Sequence, residues 1–585
     1  MSAKNTSGKR KRVAIINLLL IIIVLVLLNI AGSFSFFRLD LTSEKRYTLN
    51  PATIQLLENL DDIVYFKVYL EGELPANYKS LRNSTKEMLD EFRAYSSFIE
   101  YEFIDPSQAS SEQEQKAVYR QLLEDGLLYT NPVEEKASGV SQSLLWPGAV
   151  VRYRGRTLPL QLLRTQTYAN EEQLINRSVN DLEYEITNVI RKLQTVVKPR
   201  IAFIDGHGEL DSIATKDITL ALEEYYSVER VTIDSNLTSL VLRVDKGDSI
   251  RFIPRFKAIV LAKPEQIIPE KDKFILDQYI MRGGKVLWLI DRVKADMDSL
   301  SIYSSKLVYP LDLNLDDQLF KYGARVNSNL VADLRASVIP LVVGRVGNQP
   351  RFEPKRWPYF VLSLPDSKHP VVNNLNATRF EFASTIDTVD APGIKKTVLL
   401  RSSKRSRDIN TPARISLNIL REEADPRQYP KSGLPLAVLL EGKFKSIYSN
   451  RLNPSLLASG EVGFLEESAK PTAMIIVGDG DVIKNGVNAS NGQLIPMGYD
   501  RYTGELFGNR DFILNCMNYL CDDSGLIAVR SRDVQLRLLD EAKIKASRTM
   551  IQMQNVAFPI ALILMAGVLV ITLRRRHFSK SKTNK

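Results

Sequence analysis

Three side chains able to do chemistry stand within five positions of one another in the stretch RIAFIDGHGELD, residues 200–211: Asp205, His207 and Glu209, interleaved with Gly206 and Gly208. Two carboxylates around an imidazole have the residue types of a metal site, or of a general base with an orienting acid. They follow a short apolar run, and open α/β sheets bind ligands just past a strand's carboxyl end. The same spacing is also that of a tight turn, in which Gly206 and Gly208 supply unusual φ angles and His207 satisfies a nearby backbone group. The chain has three histidines; the others are His369, in an irregular stretch, and His577, in a basic tail. No further metal ligand can be named, so no metal or catalytic residue is assigned. Asp205, Gly206, His207, Gly208 and Glu209 are candidate ligand-contacting residues, with hydrolysis through His207 and Asp205 or Glu209 as the alternative.

A second glycine-bearing strand end, IIVGDGDVI at 475–483, carries Asp479 and Asp481. Neither G-x-G-x-x-G nor G-x-x-x-x-G-K-[ST] occurs where a strand passes into a helix, so the sequence implies no nucleotide site and no cofactor. A nucleophile elbow G-x-S-x-G is missing, and Cys516 and Cys521 fall on a late helical stretch. Five residues apart on a helix, the two thiols point ~140° away from each other, so no structural disulfide is expected. GRVGNQP (344–350) and RSSKRSRD (401–408) read as loops, the second a solvated cationic one.

The elements that must hold these residues lie inside a membrane frame. The chain has 585 residues, 44% hydrophobic and 25% charged, with a net charge of +10. Eleven basic and no acidic residues sit in the two tails, 1–12 and 574–585, which leaves 67 basic against 68 acidic residues between them. The body is therefore neutral, and nucleic acid is not an expected partner. Residues 13–37 contain no charge and are long enough to cross a bilayer; the apolar run exceeds a signal-peptide core and lacks a small-residue cleavage site. Residues 556–573 form a second uncharged run, with Pro559 near its start. Lys and Arg on the outer flank of both runs place both termini in the cytoplasm and about 500 residues outside.

Between the spans the periodicities give an α/β fold. Asn50-Pro51 starts a helix; DIVYFKVYL (62–70), a helical repeat at 78–96 and FIEYEFIDP (98–106) form a β-α-β unit; a hairpin turns at Arg154 and Gly155; a long amphipathic helix covers 170–194. This is a thioredoxin-type layout without any cysteine to run thioredoxin chemistry. From 200 onward buried strands alternate with helices, one of which stops at Gly283-Gly284, implying a mostly parallel sheet covered on both faces. The expected organisation is a tail (1–12), a span (13–37), a thioredoxin-like domain (38–197), a larger α/β domain (198–533) with an insertion at about 340–470, a linking helix (534–555), a span (556–573) and a tail (574–585).

The basic tail and span, RLDLTSEKRYTLNPAT behind it, the strand ending in Gly206-His207-Gly208-Glu209, the helix closing on Gly283-Gly284 before KVLWLID, and GNRDFILNCMNYL ahead of a C-terminal span resemble the GldG family of ABC-transporter auxiliary proteins of gliding motility. The resemblance covers nearly the whole chain. It implies a GldF-like permease and a GldA-like ATPase as partners, a bacterial inner membrane of the Bacteroidetes type, and a second domain similar to the flavodoxin or class I amidotransferase layout. The amidotransferase nucleophile elbow with its Cys is absent. The expected function is a non-catalytic extracytoplasmic auxiliary subunit that binds a ligand or partner and couples to the permease and ATPase. Alternatives are a membrane-tethered hydrolase using the Gly-His-Gly-Glu turn, or a free solute-binding protein, against which the second span argues.

Overall fold

Asn50 and Pro51 start the first folded element as their types dictate. The Asn50 side chain accepts from the Ala52 N–H at 3.0 Å, and Pro51 opens helix α1, Pro51–Glu58. Buried Glu183 receives the Asn50 N–H at 2.6 Å and the Thr53 hydroxyl at 2.9 Å, a carboxylate at the positive end of the helix. The computed structural model describes residues 15–26, 48–108, 111–131, 133–136, 139–142, 144–163, 171–246, 249–303, 305–346, 349–449, 451, 463–488, 490–523, 525–531 and 541–579. They fall into two units, Met1–Asp533 and Val534–Lys585.

In the first unit, β1 (Val64–Val68), α2 (Ala76–Tyr95) and β2 (Ile99–Phe103) make a parallel β-α-β unit. Helix α3 (Glu112–Glu124) follows, and then the hairpin β3 (Gly148–Tyr153) and β4 (Arg156–Gln161). Its two turn residues, Arg154 and Gly155, have φ of 48° and 76°, the left-handed pair of a two-residue hairpin turn. The strands lie in the order β2-β1-β3-β4, with β3 antiparallel to both neighbours. Val64, Phe66 and Val68 alternate into a core shared with Phe92 and with Ile186 and Ile190 of α4 (Glu171–Gln194).

An exposed connection at 195–199 leads to β5 (Arg200–Asp205), α5 (Lys216–Glu223), β6 (Ser227–Thr232), β7 (Ala258–Ala262), α6 (Glu270–Met281) and β8 (Lys285–Leu289). With β9 (Ile394–Arg401), β10 (Pro435–Gly442) and β11 (Thr472–Val477) these strands form one seven-stranded sheet, ordered β9-β10-β11-β8-β7-β5-β6. Five are parallel and, numbered in chain order, lie 2-1-3-4-5; β9 and β10 add an antiparallel edge. The apolar runs alternate across the sheet. Phe203, Val260, Leu287 and Ile475 meet α5 and α7 (Asn509–Cys521) on one face, while Ile204, Ile259, Trp288 and Ile476 meet α6 on the other. Burial on both faces explains why these strands read as continuous hydrophobic runs.

The stretch at 340–470 is more regular than its composition suggests. It supplies edge strands β9 and β10 and most of a long two-stranded ribbon, Ala336–Val346 paired with Gln349–Ser363. Pro340 faces Pro354 in this ribbon, and Pro breaks the alternation by which strands are read. Cys516 and Cys521 are both buried and unpaired in α7.

In the second unit a single helix runs Glu541–Ser579, non-helical at Ser547. Its segment Ser547–Leu573 is long and apolar enough to cross a membrane. The helix extends upstream of the apolar run, so Pro559 lies inside it and not at its start. The first apolar run is described as a helix only over Ile15–Val26. The rest of 13–37, the tail 1–12, most of RLDLTSEKRYTLNPAT, residues 534–540 of the linking helix and the last residues of the C-terminal tail lie outside the described residues.

Candidate functional site

Where the parallel order reverses, between β5 and β7, an open α/β sheet has its usual ligand crevice. The Gly-His-Gly-Glu turn sits there. Gly206 takes φ 122° and Gly208 φ 77°, and a Cβ on Gly206 would stand 3.0 Å from the Ile233 carbonyl oxygen. This is the turn chemistry that the two glycines implied. His207 is 2% exposed, with Nδ1 3.2 Å from Glu209 Oε1 and Nε2 3.0 Å from Asp272 Oδ2. Its backbone N–H donates to Glu209 Oε2 at 2.7 Å, and its carbonyl accepts from Glu265 and Gln266 at 3.0 and 2.9 Å. Asp272, in the first turn of α6, also accepts from the Ser235 N–H at 2.8 Å. Burial lowers the imidazole pKa, but the hydrogen bonds its ring N–H groups donate to the Glu209 and Asp272 carboxylates, and their charges, outweigh it, and the net shift is upward.

Asp205 is held by Arg230, Nε to Oδ2 at 2.9 Å and Nη2 to Oδ1 at 2.5 Å, and the same guanidinium reaches the Leu210 carbonyl and the Thr215 hydroxyl. The structure thus brings Asp205, His207 and Glu209 onto one turn but gives each a protein partner. Both ring nitrogens of His207 are engaged. Glu265 and Gln266, just past β7, bond to the turn itself, so the two loops close the switch-point crevice on each other.

The open ground lies over the ends of β7, β8 and β11. Lys263, at φ 57° just past β7, extends its ammonium to 2.5 Å from Asp481 Oδ2 and 3.3 Å from Asp291 Oδ2. Asp291 accepts the Gly480 N–H at 2.5 Å; fully buried Asp479 accepts the N–H groups of Asp481 and Glu381 at 2.7 and 2.6 Å. Glu381 pairs with Arg379 at 2.6 Å, and Arg379 stacks over Phe360. The glycines of the G-D-G-D turn permit this close approach: a Cβ on Gly478 would stand 2.3 Å from the Ser384 carbonyl oxygen, and one on Gly480 2.5 Å from the Lys263 Cβ. Above the network opens a cleft of about 250 Å³ whose walls include Lys263, Arg379, Glu381, Asp481, Tyr499 and Tyr502.

Burial dominates the electrostatics here. It pushes Asp291 up to about 6, against the pull of Lys263. It also raises Asp479 well above the usual carboxylate range, aided by the charges of Asp291 and Asp481, and raises Glu381. Lys263 loses by burial but gains more from Asp291 and Asp481, and stays protonated. The cluster is a proton-holding carboxyl group set built around its own cation. Among the described residues no group of His, Cys, Asp and Glu is placed to hold a metal ion. The cluster itself contains no histidine, cysteine or serine side chain to act as nucleophile or imidazole base.

Of this cluster, Asp479 and Asp481 stand out in the sequence; Lys263, Asp291, Glu381 and Arg379 do not. A signal for two of them was there. AIVLA ends on Lys263 and VLWLI on Asp291, a charge directly past an apolar strand, as Asp205 is past RIAFI. Glu381 and Arg379 come from a distant short strand, Thr378–Glu381, and carry no comparable local signal.

Two family models match the chain. A family model described as ABC-type uncharacterized transport system matches residues 198–516, the segment that holds the turn, the cleft and the whole seven-stranded sheet. A second model, a domain of unknown function, matches residues 43–152. An uncharacterized protein of Borreliella burgdorferi is 23% identical over 462 residues, covering 77% of this chain and 82% of that protein. Among solved structures, the mmIFT52 N-terminal domain aligns over its whole length and 58% of this chain at 13% identity, with a TM-score of 0.30, too low to define a shared fold.

Proposed function

The chain belongs to the ABC-type uncharacterized transport system family, the auxiliary proteins of ABC transporters, and from that premise we propose that it is a non-catalytic, membrane-anchored subunit that binds a ligand or partner outside the cytoplasm. The family implies association with an ABC transport system. In this reading the partners are a permease and a separate cytoplasmic ATPase, and hydrolysis there supplies the free energy that this chain couples to binding.

The observation that carries the reading is the sheet crest. The crevice where chemistry would be sought is closed by backbone hydrogen bonds around a His207 with both nitrogens in use. The adjoining cleft is walled by ion pairs that already neutralise one another and by aromatic rings, a surface suited to recognition. The strand orders, β2-β1-β3-β4 and 2-1-3-4-5, support the thioredoxin-like and flavodoxin-like readings of the two domains.

The placement follows from the frame. In this reading the helix Ser547–Leu573, long and apolar enough to cross a membrane, anchors the C-terminal end in the bacterial inner membrane, and the uncharged run 13–37 anchors the other. Basic tails keep both termini cytoplasmic and the body periplasmic. A role in gliding motility rests on the resemblance of RLDLTSEKRYTLNPAT, GHGE and GNRDFILNCMNYL to that family. Affinity purification of the detergent-extracted full chain tests the assignment: a permease and an ATPase co-purify in stoichiometric amounts, whereas a chain that elutes alone with both anchors intact contradicts it.

A further inference from the structure

The chain leaves α7 at Cys521 and crosses to the N-terminal domain while keeping contact with the larger one. Residues Leu526–Ser531 form a short 3-10 turn that lies against α1 and α4. Leu526, 4% exposed, is part of the hydrophobic core of the N-terminal domain, beside residues more than 330 positions earlier in the chain. Ile527 and Val529 are buried as well.

Arg530 fixes the other side of the turn. It is 2% exposed, and its guanidinium lies 5.0 Å over the ring of Tyr184 on α4. Its Nη1 donates to Asn515 Oδ1 on α7, and its carbonyl accepts from Asn373; the neighbouring Asn374 donates to Asp181 of α4 at 2.9 Å. Among the described residues its Nε and Nη2 have no hydrogen-bond partner. Arg530 thus bridges α4 of the N-terminal domain and α7 of the larger one.

The rest of the seam is lighter. Lys192 meets Glu224 at 2.7 Å, but Glu224 is half exposed, and Asn188 meets the Tyr225 hydroxyl at 3.0 Å. In the connection at 195–199 the Thr195 carbonyl is held by Arg156 of the N-terminal domain, and Lys198 and Pro199 are held by Glu223 and Ser227 of the larger one, which leaves Val196 and Val197, 81% and 85% exposed, as the unanchored step between them. These partly buried pairs, with Lys192 4.2 Å over the Tyr225 ring, and an exposed Val196-Val197 step fix an orientation less firmly than a leucine seated in the opposite core. Nine residues, 532–540, separate Ser531 from the Glu541–Ser579 helix.

We propose that Leu526–Arg530 is a strap whose seating in the N-terminal domain sets the arrangement of the two domains of the body. When the strap is seated the domains hold one orientation; when it is displaced they turn about the linker at 195–199.

Distances between spin labels on Glu87→Cys and Lys271→Cys, exposed positions on α2 and α6, test this in the full chain reconstituted in nanodiscs. The native thiols are buried and give a label-free background. The unmodified strap gives one narrow distance. Leu526→Asp and, independently, Arg530→Gln broaden or split the distribution by roughly twofold or more, as release of a two-state element does, with unchanged helix content by circular dichroism. Lys192→Ala leaves it narrow. A single unchanged distance in both folded strap variants overturns the proposal, and so does a broad distribution in the unmodified protein. If Leu526→Asp fails to fold, the Arg530→Gln result decides alone.

Discussion

His207 shows how partners decide what a residue does. An imidazole 2% exposed that joins Glu209 of its own turn to Asp272 of α6 is a cross-link, and its removal leaves two buried carboxylates facing each other. His207→Ala is expected to cost about 3 kcal/mol in a urea denaturation, as removal of one member of a buried pair does. The pH dependence follows from the upward shifts of His207 and Asp291. A group whose folded pKa lies above its unfolded value stabilises the fold fully below the unfolded value and loses that contribution as pH rises through the folded one. Asp291, ordinarily 3.8 and here about 6, makes stability fall between about pH 4 and 6, and His207 continues the fall above 6.5. The urea midpoint is therefore higher at pH 5 than at pH 8, and His207→Ala shrinks the part of the difference above 6.5. His369, whose pKa burial lowers, acts in the opposite sense over the same range, so the comparison with the variant decides: a pH 5 to 8 difference that His207→Ala leaves unchanged contradicts the assignment.

At the scale of elements, legibility tracked burial. RIAFID, AIVLA and KVLWL are strands because both faces of the sheet are covered, and each could be read as an apolar run bounded by a turn. The Ala336–Val346 and Gln349–Ser363 ribbon could not: Pro340, Pro350 and Pro354 and the interleaved cations hide its alternation, and long-range pairing is not written locally. The site shows the same division. Asp205, His207 and Glu209 are neighbours in sequence and could be read together, as could Asp479 and Asp481. The pairing of Lys263 with Asp481 spans 218 positions and follows only from two strands ending at the same crest. The glycines of the turn between them are what the elements require. Gly480→Ala forces a Cβ to 2.5 Å from the Lys263 Cβ, and a loss of about 1 to 3 kcal/mol is expected, the range for overpacking. An unchanged unfolding midpoint would show that the Lys263 stem can shift freely.

The whole molecule joins a near-neutral body to a helix long enough to cross a membrane, with the net positive charge confined to the two tails. Composition made the C-terminal apolar helix legible, because a charge-free run needs no tertiary contact to be recognised. The strap was not legible, because its insertion into a distant core depends on the arrangement of two domains. The central claim is that this body regulates a transporter by binding and does no chemistry of its own. ATP hydrolysis by the purified permease and ATPase, measured with and without the full chain in the same nanodiscs, tests it most directly. The rate is expected to change by roughly twofold or more with the chain, the scale of an ordinary coupling free energy, and Glu381→Arg in the crest cleft abolishes the change while the complex still assembles. Identical rates with and without the chain, together with hydrolysis of an ester, amide or glycan by the chain alone that His207→Ala removes, would contradict it.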